Sequence, residues 1–76
     1  MIALNELLED LLDEPFETVV QIESFQMLES WDSLRYVKLV LELQGAYRVE
    51  FSEEEIHRLL SVAGIRQVLV EKGCTP

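Results

Sequence analysis

The chain has 76 residues, of which 49% are hydrophobic, and a formal net charge of −9 at pH 7. This length corresponds to one small domain over residues 1–76, and the hydrophobic fraction is too high for a disordered acidic tail. The negative charge disfavours nucleic acid and anionic membrane surfaces as partners, and no apolar run reaches the roughly 20 residues of a membrane span.

Cysteine and histidine are too few for a disulfide framework or a structural metal site. Cys74 is the single cysteine and His57 the single histidine, so neither has a partner of its own kind. The N-terminal residues are acidic, whereas a secretory signal begins with basic residues. We therefore expect a cytoplasmic protein, and we expect it to be a monomer.

The first predicted element is an amphipathic helix from about Ile2 to Asp13. Leucines recur along it at helical spacing, while acidic side chains occupy its other face. Pro15 is expected to end the helix, because the residue before a proline is pushed away from helical angles. The stripe predicted to enter the core consists of Leu4, Leu7, Leu8, Leu11 and Leu12.

Residues 15–31 are predicted to form a long ordered loop. The stretch TVVQI within them has the β-branched side chains of a strand, but a single strand would have no partner in an otherwise helical chain. The apolar side chains of this segment are expected to fill part of the core, namely Phe16, Val19, Val20, Ile22, Phe25, Met27 and Leu28.

A second helix is predicted from Ser33 to about residue 44 or 46. Asp32 suits the N-cap position, because its carboxylate can accept a backbone N–H from residue 34 or 35. Trp31 and Tyr36 stand on either side of this cap at the positions of a hydrophobic staple, which fixes the angle at which the chain enters a helix.

The apolar residues of the second helix cover a wider arc than one packing face requires. The part near Leu34 and Leu41 is therefore expected to be exposed for a partner. Arg35, Lys38 and Glu42 recur at i, i+3 and i+7 and form a different face.

The clearest helix start lies in FSEEEIHRLL. Ser52 and Glu55 match the S-x-x-E capping box, in which each side chain binds a free backbone N–H of the first turn. They predict a short third helix. Ser61 is expected to cap a fourth helix within SVAGIRQVLVEKG, which Gly73 ends. The predicted chain is all-α, with a helix, a long loop, a second helix, a short third helix and a fourth helix in that order.

Few residues could support catalysis. His57 is the only imidazole, and its place near the end of an acidic helix is explained by the helix dipole. A catalytic base also needs a nucleophile within hydrogen-bond reach, and none is identifiable. The sequence contains no glycine-rich phosphate loop, no H-E-x-x-H and no C-x-x-C. We therefore predict that the chain is not an enzyme.

Ser33 has two interpretations. The structural one is that serine and aspartate are both common at helix starts. The other is covalent modification, because a hydroxyl in the first turn is exposed and the positive end of the helix stabilises an attached anion, although Asp32 opposes it at short range. No base lies near Ser33 in sequence, so the hydroxyl would be the substrate of another enzyme.

Over roughly its whole length, the chain resembles an acyl carrier protein. The resemblance rests on WDSL at the start of the second helix, followed by RYVKLVLELQGAYRVEFSEEEIHRLLSVAGIRQVL, with a short acidic helix about 20 residues after the serine. Small size, acidity and the order of the helices agree with it. WDSL is more similar to freestanding carriers of specialised pathways than to carriers of fatty-acid synthesis.

The resemblance implies a carrier-type four-helix bundle in which Ser33 bears a 4′-phosphopantetheine arm. A phosphopantetheinyl transferase with Mg²⁺ would attach the arm from coenzyme A, and Asp32 would help to position the attachment site. The arm would hold an acyl or aminoacyl cargo as a thioester for the enzymes that load and process it, in polyketide, nonribosomal peptide or modified fatty-acid synthesis.

The resemblance also implies a partner-docking surface on the second helix. Leu34, Val37 and Leu41 would form its apolar part, and Ile56 and Leu59 would line a groove between helices in which cargo shelters. The alternative is a small acidic helical interaction module with the carrier fold that is never loaded and docks through the same apolar arc.

Arg35 and Lys38 depart from the family pattern, in which the docking helix is usually acidic. We expect them to contact partners whose docking surface is less uniformly basic than usual. Reversing both charges to glutamate is then expected to weaken partner binding.

Overall fold

The computed structural model describes residues 3–76, and over this range the chain is helical without strands. The predicted all-α class is confirmed. The predicted start of the first helix at Ile2 lies outside the described residues. The elements are α1 (Leu4–Leu12), α2 (Phe16–Gln21), one turn of 3₁₀ helix (Phe25–Met27), α3 (Ser33–Tyr47), α4 (Glu53–Ile56) and α5 (Val62–Glu71).

Helix α1 ends one residue earlier than predicted. Asp13 adopts a left-handed conformation with φ of 54°, and its N–H donates to the carbonyl of Glu9 at 2.9 Å. This is a common way to satisfy a free carbonyl at the end of a helix. The leucine stripe faces the core as predicted, with Leu11 half-buried and the other four members buried.

The segment predicted as a long loop is partly helical, which corrects the prediction for residues 15–31. Pro15 starts α2 instead of only stopping α1, because its carbonyl accepts the N–H groups of Thr18 and Val19. The N–H of Phe16, free at the helix start, donates to the Glu9 carboxylate of α1 at 3.0 Å. Burial of Val19 outweighs the strand preference of its β-branched neighbours.

The 3₁₀ turn ties the rest of this segment to the core. Phe25 is fully buried, and its N–H donates to the carbonyl of Leu60 at 2.7 Å. Leu28 packs against the core, but Val20 and Met27, which were also expected to fill it, are exposed.

The start of α3 agrees with the sequence prediction. The Asp32 carboxylate accepts the N–H of Arg35 at 2.8 Å. The rings of Trp31 and Tyr36 lie 5.7 Å apart between centroids, as a hydrophobic staple requires. The helix ends at Tyr47, because Arg48 is left-handed with φ of 55°.

The caps of α4 and α5 are also confirmed. Ser52 Oγ accepts the N–H of Glu55 at 3.2 Å, and Glu55 Oε1 accepts the N–H of Ser52 at 2.9 Å. Ser61 Oγ accepts the N–H of Gly64 at 3.0 Å. A Cβ at Gly64 would overlap the carbonyl of Arg58, so glycine allows α5 to start against the turn that follows α4. Gly73, at φ of 83°, follows the end of α5 as predicted.

The buried side chains form one hydrophobic cluster, to which α4 contributes no fully buried residue. Polar contacts and the half-buried Ile56 hold this short helix in place. Within residues 3–76, no helix is both long enough and apolar enough to cross a membrane. The core consists of Leu4, Leu7, Leu8, Leu12, Val19, Phe25, Leu39, Leu43, Phe51, Leu59, Val62, Ile65, Val68 and Leu69.

Candidate functional site

Ser33 is the first residue of α3 and is exposed. The cap of this 15-residue helix comes from Asp32, whose Oδ1 accepts the N–H of Arg35. The capping bond therefore does not use the Ser33 hydroxyl. That hydroxyl lies at the positive end of a long helix, where a covalently attached anion is favourable.

Three aromatic rings anchor the turn before Ser33. The ring centroids of Phe25 and Trp31 lie 5.8 Å apart, and those of Trp31 and Tyr36 lie 5.7 Å apart. The Tyr36 hydroxyl donates to the carbonyl of Ile56 at 2.8 Å, which joins α3 to the last residue of α4. Burial raises the pKa of the Tyr36 phenol further above neutrality, which extends to higher pH the range in which the hydroxyl can donate this bond.

An exposed apolar stripe lies beside Ser33 on α3. Its three members, which we call the α3 stripe, are Leu34, Val37 and Leu41, with exposed fractions of 62%, 53% and 60%. At about 100° of rotation per residue they cluster on the side of the helix opposite Leu39 and Leu43, which are fully buried. The stripe therefore faces solvent directly, as the sequence predicted for Leu34 and Leu41.

A small apolar groove separates α3 from α4, with a volume of about 190 Å³. Ile56, which the resemblance places in a groove between helices, is one of its lining residues. Leu59 does not belong to it, because Leu59 follows the end of α4 and is fully buried in the core. The lining residues are Tyr36, Val37, Val40, Leu41 and Ile56.

Arg35 and Lys38 have different environments. The Arg35 guanidinium is half-buried and donates to the carbonyl of Leu11, so this side chain ties α3 to α1. Lys38 is exposed and lies beside Glu42 and Asp10 along the cleft between the same two helices. Of the two cations, Lys38 is the one that a partner could reach without breaking an internal hydrogen bond.

Two ion pairs hold the α4 region against α5. Lys72 Nζ lies 2.9 Å from Glu55 Oε1, and Arg58 donates to both oxygens of Glu71 at 3.0 and 2.8 Å. The backbone N–H of Ser52, and secondarily Lys72, lower the pKa of the Glu55 carboxyl. Hydrogen bonding to Arg58 lowers the pKa of Glu71 in the same way.

His57 and Cys74 occupy separate structural positions. His57 is the exposed C-cap of α4, while Cys74 is half-buried against the core after α5. Among the residues that the structure describes, no group of three or more histidine, cysteine, aspartate or glutamate side chains is placed to hold a metal ion.

Sequence reasoning does not identify Tyr36 or Val40 as groove residues. Tyr36 is recognisable as a staple residue, and Val40 as one of several apolar positions on the second helix. Tyr36 and Val40 lie on the helical face that also carries Val37 and Leu41. The other three residues follow Tyr36 by one, four and five positions. The missing information is the position of α4, which closes the groove.

Comparisons of the chain with protein-family models, with curated proteins and with solved structures found no match.

Proposed function

We propose that this chain is an acyl or aminoacyl carrier protein that bears a 4′-phosphopantetheine arm on Ser33. The observation that carries the proposal is the environment of Ser33, which is exposed at the first residue of a 15-residue helix already capped by Asp32. A modification site needs a reachable hydroxyl whose conversion to an ester removes no structural hydrogen bond. The proposed class of modification, a phosphopantetheine arm, comes from the resemblance of WDSL to acyl carrier proteins.

The surroundings of Ser33 suit a phosphodiester. Its negative charge would lie at the N-terminal end of α3, where free backbone N–H groups and the helix dipole favour an anion. Asp32 is exposed next to it, where a carboxylate can help to orient the metal and basic groups of a transferase. When bound, the arm supplies a terminal thiol that holds cargo as a thioester.

We infer that α1, α3, α4 and α5 are the four helices of a carrier-type bundle spanning the whole chain as one domain. In this interpretation α2 and the 3₁₀ turn belong to the long connection between the first and second helices of the bundle. The residues that follow α4 lie beside the 3₁₀ turn of that connection, because Phe25 donates its N–H to the carbonyl of Leu60, four residues after Ile56.

The α3 stripe would supply the apolar contacts to partner enzymes, namely the transferase and the enzymes that load and process cargo. Its first member, Leu34, follows Ser33 directly, so an enzyme that docks on the stripe also meets the loaded residue. Ile56 would extend this surface to α4. Lys38, at the edge of the stripe, would contribute a positive charge to it.

The proposal is tested by the intact mass of the chain after co-expression with a promiscuous phosphopantetheinyl transferase. The mass is expected to rise by that of the arm. Ser33→Ala should remove the gain and leave the chain folded, because Asp32 supplies the cap. Ser30→Ala is the matched control, since Ser30 is nearby but its hydroxyl donates to the carbonyl of Leu12; this variant should still be loaded. A wild-type chain that stays unmodified while another carrier is loaded contradicts the proposal.

A second candidate function is an interaction module that is never loaded. The exposed α3 stripe favours it, because such a face can dock on a partner without any covalent group. The same mass measurement separates the two functions. An unmodified wild-type chain would favour the interaction module.

A further inference from the structure

We propose that Trp31 is a positioning residue that holds the Ser33 turn in the conformation in which the transferase loads it. This inference rests on the proposed carrier function. Trp31 itself contacts neither coenzyme A nor the arm in this account, and it acts through the position of the two residues that follow it.

The aromatic stack around Trp31 is fixed at both ends. Phe25 on one side is fully buried, and its N–H donates to the carbonyl of Leu60 at 2.7 Å. Tyr36 on the other side donates its hydroxyl to the carbonyl of Ile56 at 2.8 Å. Trp31 lies between the two rings, at 5.8 and 5.7 Å between centroids. Its ring therefore links the segment that precedes α3, through Phe25, to the helix that carries Ser33, through Tyr36.

Trp31 is also the last anchored point before the modification site. Between Leu28 and Tyr36 it is the apolar side chain that packs against the core, whereas Asp32, Ser33 and Leu34 are exposed. Its backbone N–H donates to the carbonyl of Leu28 at 3.1 Å, which closes the preceding turn. Without the indole, residues 29–32 would keep the Asp32 cap and the hydrogen bond from Ser30 to Leu12, but they would lose the aromatic packing that holds the last residue before that cap.

Loading places a strict demand on the serine oxygen. Ser33 Oγ forms a bond to phosphorus, the pyrophosphate bond of coenzyme A breaks, the adenosine bisphosphate half leaves, and the hydroxyl proton passes to the transferase. The reacting atoms must be aligned when the carrier binds. If the turn is ordered for only a fraction of the time, the affinity of the carrier for the transferase falls by that fraction. The apparent KM for the carrier rises accordingly.

The experiment measures the kinetics of loading with coenzyme A, Mg²⁺ and a promiscuous transferase, with the carrier as the varied substrate. Trp31→Ala should raise KM about tenfold with kcat near the wild-type value, which corresponds to a turn ordered about a tenth of the time. Trp31→Phe keeps a ring between Phe25 and Tyr36 and should restore KM to within about twofold of wild type.

Phe16→Ala is the matched control for a general loss of stability. Phe16 also has an aromatic ring half-buried against the core, but this ring lies near Tyr47. Tyr47 is at the other end of α3, about 21 Å along the helix from Ser33 at 1.5 Å per residue. With each variant shown to be folded by circular dichroism at the assay temperature, Phe16→Ala should be loaded as wild type is.

Three results would overturn the inference. The first is a folded Trp31→Ala variant with wild-type KM. The second is a Trp31→Phe variant as impaired as Trp31→Ala, which would show that packing of a ring between Phe25 and Tyr36 does not order the turn. The third is an equal rise in KM for Phe16→Ala. A wild-type chain that is never loaded would overturn the carrier function and, with it, the role of Trp31. A wild-type chain that is loaded, together with one of these three results, would overturn the role of Trp31 alone.

Discussion

At the start of α3, Asp32 and Ser33 are adjacent polar residues in different roles. The Asp32 carboxylate accepts the N–H of Arg35, and the Ser33 hydroxyl is exposed beside that bond. Either residue type could have capped the helix. The structure assigns the cap to Asp32, and this assignment makes Ser33 available for a covalent role.

Replacing Arg35 should lower the stability of the chain more than replacing Lys38. Arg35→Ala is expected to lower the free energy of unfolding by about 1 kcal/mol, because it removes a charged donor from the Leu11 carbonyl and uncovers part of the α1–α3 contact. Lys38→Ala, at an exposed position, should change it by less than about 0.5 kcal/mol. Urea unfolding at neutral pH measures both, and equal losses would show that Arg35 does not tie the two helices.

The same difference sharpens the expectation for partner binding. Replacing both cations with glutamate would mix a loss of stability with a loss of docking charge. Lys38→Glu alone tests the docking contribution, because its ammonium group can be reversed without breaking the Arg35 bond to α1. Weaker binding of a processing enzyme is the expected result, and tighter binding would contradict it.

Local spacing predicts contacts within one turn of helix but not contacts between distant elements. The Asp32 cap and the Ser52–Glu55 capping box are readable because both partners lie three residues apart. The bond from Arg35 to Leu11 joins residues 24 positions apart. No periodicity in either helix indicates this bond, so the docking role expected for Arg35 from the family resemblance does not take it into account.

At the scale of elements, α2 is the largest departure from the sequence prediction. A six-residue helix with two adjacent valines is a poor helix by propensity alone. It forms because Val19 is buried and because the Glu9 carboxylate of α1 binds the free N–H of Phe16. Both causes are tertiary, so neither can be read from residues 15–31.

Two adjacent valines test whether this segment is a packed helix. Val19→Ala should lower the free energy of unfolding by about 2 kcal/mol, because it removes two buried methyl groups and leaves a cavity. Val20→Ala should leave it nearly unchanged or slightly raised, since Val20 is exposed and alanine favours helix. Urea unfolding of the pair measures the difference. Similar small effects for both would indicate a loop.

Helix α4 differs from the other helices because polar contacts hold it. It has no fully buried residue, and its neighbours fix it through the Tyr36 hydroxyl, the Lys72–Glu55 pair and the Arg58–Glu71 pair. The sequence predicts the start of this helix from its capping box but gives no information about which side chains of α3 and α5 hold it.

The Glu55 contacts predict a dependence of stability on pH. The pKa of Glu55 is lower in the folded chain than its ordinary value of 4.5, so its ionised form favours folding. This contribution to stability is fully present at a pH above the pKa that Glu55 has in the unfolded chain. It is lost as the pH falls through the lower pKa that Glu55 has in the folded chain. Glu55→Gln should therefore be less stable than wild type at pH 7, and the difference should shrink below about pH 4.5.

The difference in stability between wild type and Glu55→Gln is measured from the midpoints of urea unfolding between pH 7 and pH 3. Glu53→Gln is the control, because it removes one negative charge from the same end of α4 without removing the partner of Lys72. It should have the smaller effect at pH 7. A Glu55→Gln difference that stays constant over the whole range would contradict the role of the ionised carboxylate.

At the scale of the whole molecule, charge and apolar surface are unevenly distributed. The chain carries a net charge of −9, yet α3 contains two basic residues and one acidic residue. The solvent-facing side of this helix bears the α3 stripe, with Ser33 at its N-terminal end. The sequence predicts this helix and its excess of apolar residues, because both depend on spacing within one element. The α3–α4 groove also depends on how α4 packs, which only the three-dimensional arrangement shows.

The central claim, that Ser33 bears an arm ending in a thiol, can be tested by counting thiols in a Cys74→Ser variant. Cys74 is the only cysteine in the chain, so the unmodified variant has no thiol and any that appears belongs to the arm. After treatment with coenzyme A, Mg²⁺ and the transferase, then removal of small molecules, we expect one reactive thiol per chain. The same variant with Ser33→Ala should have none. A thiol count of zero in the variant that keeps Ser33, under conditions that load another carrier, would contradict the proposal that Ser33 bears the arm.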